Sequence, residues 1–353
     1  MARRFLRVRL VVALVLGASL LFAGAREAGA ELPAPDAGFG LVDRSILQVH
    51  QGDLRVRVDG TVVENLEIRG SLRIIANDVV VRNVWVYGEE PWTVLVEKGS
   101  ATFEHVEIGH PEFIGERGIG GDNVTARYLE IHHVEDGIKA GTNSTYEYVW
   151  VHSLDSRSDD PHADALQDDG GITNFVIRNS ILDATGPLGH GNAAVLIKTD
   201  LGPTDGIRVE SSFLNGGAYT VYVRDGGFGD PRGVVFRDNY LGGDFQFGRV
   251  DAPGPVTWLG NRDYATGAEV RADGTEGDPV DGHTPPPLPE PVHVTTTTTT
   301  VPGSPTTTAA GAGQDGSNGI VLAVVLGIAG FLLGIMVMRL QGGGRLPGRH
   351  TRG

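Results

Sequence analysis

From about Leu54 to Tyr264, apolar residues fall on alternate positions in short runs, and the runs recur. Each repeat is an alternating apolar group, a polar corner and a second alternating group. It reads Val62-Val63-Glu64-Asn65-Leu66-Glu67-Ile68, then Val79-Val80-Val81-Arg82-Asn83-Val84-Trp85-Val86, and later Val176-Ile177-Arg178-Asn179-Ser180-Ile181-Leu182. A period of two predicts strands with one buried face. The corners fall at 65, 83, 105, 128 and 148, in steps of 18, 22, 23 and 20 residues, and then at 179 and 211, in steps of 31 and 32. Strand patterns recurring about every twenty residues predict a solenoid whose coils bury their apolar faces against one another. The longer later steps predict loops inserted on one side. Asparagine corners suit turn geometry, and their stacked amides can hydrogen-bond along the solenoid.

Helical patterning is absent outside two apolar segments near the chain ends. Residues 1–30 combine Arg3, Arg4, Arg7 and Arg9 with an apolar run and a small-residue ending, Ala28-Gly29-Ala30, which predicts a secretory signal peptide. The run from Ile320 to Met338 is long enough to cross a bilayer and is followed by Arg339, Arg345, Arg349 and Arg352. This predicts a transmembrane helix over 319–339 and a basic cytoplasmic tail over 340–353. Between the repeats and this helix, 285–318 carries Pro285-Pro286-Pro287 and the threonine run from Thr295 to Thr300, a composition that makes an extended stalk. Residues 31–53 remain as an N-terminal lead-in or cap, and 54–284 as the repeat domain. The expectation is an exported chain, anchored in the cell membrane through its C-terminal helix, with the repeat domain outside.

The chain has no cysteine, so such a domain must hold together without disulfides. Its net charge is -15 while both ends are arginine-rich, so the middle is more acidic still, which argues against nucleic acid as a partner.

Four stretches in successive coils end on a long polar side chain. Aligned with Ile138, Leu166, Ile197 and Val223 in one inward column, they place Lys139, Gln167, Lys198 and Arg224 in one outward column. The chain has three lysines, Lys98, Lys139 and Lys198, and two fall there. Strict alternation would send Asp136 and Asp164 inward, where an unpaired carboxylate is costly. They are therefore expected in the turn before the strand, or buried with partners. Asp155, Asp159, Asp160, Asp164, Asp168 and Asp169 offer hard oxygen ligands, as Ca2+ would need, with Asp164, Asp168 and Asp169 the first choices; a solvated turn is the alternative. His162 could be a ligand, a base or a hydrogen-bonded loop residue.

Over Leu54 to Tyr264 the pattern resembles the right-handed parallel β-helix of pectate lyases, polygalacturonases and phage tailspikes. Val134-Glu135-Asp136, Ala163-Asp164, Gly189-His190-Gly191 and Tyr222-Val223-Arg224 stand, in order, where polygalacturonases carry Asn-Thr-Asp, Asp-Asp, Gly-His-Gly and Arg-Ile-Lys. One acid of the Asp-Asp pair and the arginine of the last motif are replaced. The resemblance implies an all-β, single-stranded right-handed parallel β-helix that acts on or binds polysaccharide. In a hydrolase, Asp136 and Asp164 would be the two carboxylates, with His190 and Arg224 positioning sugar. In a lyase, Lys198, Lys139 or Arg224 would be the base, with aspartates holding calcium; the Trp-Ile-Asp-His stretch usual in pectate lyases is absent. Gln167, Tyr222 and Tyr219 would bind substrate beside them. A non-catalytic glycan-binding adhesin or surface structural protein is the alternative.

Overall fold

The computed structural model describes residues 32–34, 37–158 and 162–289. The predicted signal peptide, transmembrane helix and cytoplasmic tail, and most of the stalk, lie outside the described residues. No helix among the described residues is long and apolar enough to cross a membrane.

All strand-to-strand ladders are parallel, and they join each coil to the next. Three inward columns result. On the first face, Leu54, Leu72, Val94, Ile119, Ile138, Leu166, Val195, Val221 and Val250 stand in register. On the second, Val63, Val81, Phe103, Ala126, Tyr146, Ile177, Val209, Phe236 and Trp258 do the same. The third runs from Ile68 through Val86, Ile108, Ile131, Val151, Leu182 and Leu214 to Leu241. These columns meet in one continuous apolar core. The fold is a parallel β-helix, and its repeated core replaces the cross-links that the sequence lacks.

The corners predicted from the sequence are where the backbone turns. Asn65, Asn83, His105, Tyr128, Tyr148, Asn179, Ser211 and Asp238 all adopt left-handed conformations, with φ between 47° and 59°. Asparagine and aspartate tolerate that region; tyrosine and histidine are held there by their neighbours. Asn83 Nδ2 donates to Asn65 Oδ1 (2.8 Å), while His105, Tyr128 and Tyr148 stack with centroids 4.8 and 5.2 Å apart. Immediately before the corners runs a charge ladder that the sequence reading missed: Glu64, Arg82, Glu104, Arg127, Glu147, Arg178, Glu210 and Arg237 are successive register partners. Arg82 pairs with Glu64 at 2.6 Å, Arg127 with Glu147 at 3.0 Å, and Arg178 with the same glutamate.

The coils begin earlier than expected, because the strand Gln48–Gln51 already pairs with Leu66 to Arg69. The segment before it is a strap along the outside of the third face, not an end cap. Phe39 packs on Trp150, Gly40 N–H donates to the Tyr128 carbonyl (3.0 Å), and Arg44 pairs with Glu107 while lying 4.1 Å from the Trp85 ring. Leu32 and Phe39 share an apolar ridge with Trp150, Ile181, Phe213, Tyr240 and Tyr264, and Leu288 joins them from the other end of the described chain.

Candidate functional site

The first face carries the candidate residues on the strands Gly115–Gly121, Val134–Lys139, Asp164–Asp168, Ala193–Lys198 and Tyr219–Arg224. Strict alternation fails at the start of these strands. Gly137-Ile138, Ala165-Leu166, Ala194-Val195 and Thr220-Val221 are each buried as consecutive pairs. A Cβ on Gly137 would lie 2.6 Å from the core side chain of Val151, so this position faces inward. The residue before it therefore shares the outer side with the end of the strand. Asp136 and Asp164 lie on that side, stacked in adjacent coils beside Lys139, and are buried with partners, the second of the two expected outcomes.

The register differs from the sequence alignment by two residues. Leu166 pairs with Val195, and Val195 with Val221, so Ile197 and Val223 belong one inward position further along. Lys139, Gln167, Lys198 and Arg224 are consequently two neighbouring pairs and not one column. Lys139 faces Gln167, and Lys198 faces Arg224. A slip of two keeps every side chain on its proper face, so the hydrophobic pattern cannot detect it.

Lys139 is the hub of the first group. Its Nζ donates to Asp169 Oδ2 (2.7 Å) and to Gln167 Oε1, and lies 3.6 Å from Asp136 Oδ2. Asp136 Oδ1 accepts from the Asp164 backbone N–H (3.3 Å), and Asp164 Oδ1 accepts from Asn192 Nδ2 (2.9 Å). Asp164 Oδ2 is buried with no hydrogen-bond partner. Burial pushes Asp136 up to about 6 against the pull of Lys139. It drives Asp164 well above the ordinary carboxylate range, helped by the charge of Asp136 and opposed by the Asn192 hydrogen bond. Two stacked carboxyls with raised and coupled affinities for a proton are the form an acid–base pair takes.

Asp136 opens onto a polar cleft of about 470 Å³ lined by Gly115, Glu116, Arg117, Glu135, Arg157 and Ser158. His162 is exposed at its margin; its backbone N–H donates to Glu135 Oε1 (3.1 Å). Asp164 is fully buried, and the loop that carries Asn192 also carries His190. His190 lines a cavity of about 280 Å³ with Ala163, Leu188, Gly189, Gly191 and Gln246, and its carbonyl accepts from the Gly217 N–H.

Asp168 and Asp169, two of the first choices for calcium, each have partners within the protein. Asp168 lies in register with the core residue Ile197, its Oδ1 accepting from Gly170 N–H (2.7 Å) and its Oδ2 from Thr204 Oγ1 (2.8 Å). Burial pushes it up to about 6, and it closes the turn after its strand. Asp169 is engaged by Lys139. Among the described residues no group of three or more acidic, histidine or cysteine side chains is arranged to hold a metal ion, and Asp159 and Asp160 lie outside them.

Further along the face, the Tyr222 ring has Lys198 Nζ 5.8 Å and the Arg224 guanidinium 5.4 Å from its centroid. Tyr219 stacks on it at 6.0 Å and 12°, Phe247 lies 5.9 Å from Tyr219, and Arg224 pairs with Asp251. Phe247 is exposed. This is an amphipathic surface of aromatic faces and cations.

The sequence reading missed Asn192, Glu135 and Arg117. Asn192 comes to Asp164 through a loop whose path no periodicity encodes. Arg117 was visible as the register partner of Asp136 only once the glycine-rich stretch Gly115–Gly121 was recognised as a strand.

The molecule is thus a parallel β-helix with a buried acidic pair on one outer face. No protein-family profile matches the chain, and no curated protein sequence matches it at a significant level. Among solved structures, the enzymatically active domain of bacteriophage CBA120 tailspike protein 2 is similar over 66% of this chain and 40% of its own, with a TM-score of 0.40 and 13% identity. Tailspike protein gp49 of Acinetobacter baumannii bacteriophage Fri1, a capsular polysaccharide depolymerase, is similar over 67% and 57%, with a TM-score of 0.37 and 12% identity. The chain spans less than two thirds of the length of either.

Proposed function

We propose that this protein binds a polysaccharide along the first face of its β-helix and hydrolyses it at the Asp136–Asp164 pair. The observation that carries the reading is the stacked pair itself: two carboxyls on adjacent coils, both with proton affinities raised by burial, one of them opening onto a polar cleft. Asp136 titrates near 6, the range in which a group can both give and take a proton near neutrality. Asp164, kept neutral by burial and held by the Asn192 amide, is the second carboxyl of the pair. Lys139 supports hydrolysis over elimination. Its Nζ is engaged by Gln167, Asp169 and Asp136 and so serves to hold the acidic pair in place, whereas a lyase base must reach a substrate proton. With 1–30 as export signal and 319–339 as membrane span, the domain works at the cell surface.

The test is incubation of the protein with acidic and neutral polysaccharides, following reducing ends together with the ultraviolet absorbance of unsaturated products. Reducing ends without absorbance establish hydrolysis, and absorbance establishes a lyase. Binding without cleavage favours the second reading, a glycan-binding surface protein, for which the Tyr219, Tyr222, Lys198 and Arg224 patch is the supporting observation.

A further inference from the structure

The strand Gly115–Gly121, GERGIGG, is unlike its neighbours in the stack. Glycine inside a strand marks either a special backbone conformation or a close approach. At Gly120 the reason is the second. Its φ lies outside the left-handed range, but a Cβ there would collide with the six-membered ring of Trp92. The indole occupies the space over Gly120 at the position where the next coils carry the side chains of Lys139, Gln167, Leu196 and Tyr222. It is partly exposed, and the Arg117 guanidinium stands 5.3 Å from its centroid. Arg117 in turn lines the cleft onto which Asp136 opens.

The position of this bed matters. Gly120, Lys139, Gln167, Leu196 and Tyr222 are successive register partners, so the bed of Trp92 and the Tyr222 ring lie on one column. Four coil spacings separate the two aromatic surfaces, about 19 Å. Asp136 lies beside the column between them.

We propose that Trp92, bedded on Gly120 beside Arg117, is a sugar subsite in its own right. It stacks on the apolar face of a pyranose residue while Arg117 takes a hydroxyl or carboxylate of the same residue. The bound chain then runs parallel to the axis of the coils, with Trp92 and Tyr222 holding opposite ends across the acidic pair. This inference rests on the polysaccharide reading above, which it extends by fixing the direction and minimum length of the ligand.

The experiment uses the full chain and its Trp92→Ala, Gly120→Leu and Tyr222→Ala variants, titrated calorimetrically with size-fractionated oligosaccharides of alginate, polygalacturonate, hyaluronan and dextran. Gly120→Leu keeps the indole but displaces it from the sheet; Trp92→Ala keeps the test independent of whether that variant folds. Both are expected to weaken oligosaccharides that bridge the two ends by ~10-fold, and to leave disaccharides bound at the Tyr222 end unaffected. Unchanged affinity of Trp92→Ala at every length, with loss of binding in Tyr222→Ala, overturns the subsite and leaves the polysaccharide reading standing. Failure of the unsubstituted protein to bind any of the four polymers overturns both.

Discussion

Asp164 is the residue whose chemistry is most tightly fixed by its surroundings. Its carboxyl is fully buried, one oxygen takes the Asn192 amide and the other has no partner, so the neutral form is favoured. Asp164→Asn cannot ionise or donate a carboxyl proton. It is expected to abolish cleavage while leaving neutral-pH stability unchanged or higher, a combination that activity assays and thermal melts separate. For Asp136, Asp164 and Asp168 the folded state binds a proton more tightly than the unfolded chain does. Their stabilisation is therefore fully present below the unfolded value near 3.8 and is lost as pH rises through the folded value, about 6 for Asp136 and Asp168. Denaturant titrations should show these groups lowering stability between about pH 4 and pH 7, and Asp136→Asn should recover on the order of 2 kcal/mol of that loss. Lys139 opposes the effect of burial on Asp136, so Lys139→Met should move the Asp136 titration above its present value near 6, read from carboxyl chemical shifts.

At the scale of strands and coils, the period-two pattern and the polar corners were sufficient to find nearly every coil. They could not set the register between coils, because a displacement of two residues leaves the same faces buried. Ile197 and Val223 fell into the wrong column for this reason, although Asp136 and Asp164 were found together. The alternating charges before the corners supply part of the missing information, since a slipped strand would lose the pairing. Glu147 is clamped between Arg127 and Arg178. Glu147→Arg would set three guanidinium groups in sequence along the stack, and chemical denaturation should report a loss of ~1–2 kcal/mol that shrinks as salt is added. What no pattern within a coil encodes is the path of the long loops. That is why Asn192 was invisible beside Asp164, and why the turn-closing hydrogen bonds of Asp168 to Gly170 and Thr204 could not be foreseen.

On the scale of the whole molecule, the segments at both ends of the described chain meet on the outer ridge of the third face, through Leu32, Phe39 and Leu288. Trp150 lies among them. Trp150→Ala should speed hydrogen exchange in residues 37–46 and 283–289 together, while the strands of the first face keep their protection. The charge ladder has a consequence for how a molecule of this kind can lengthen or shorten. Loss of the single coil bearing Arg127 would bring Glu104 against Glu147, but loss of the two coils bearing Arg127 and Glu147 would bring Glu104 against Arg178. In electrostatic terms the heritable module is a pair of coils, and the number of coils gained or shed in a viable variant should be even.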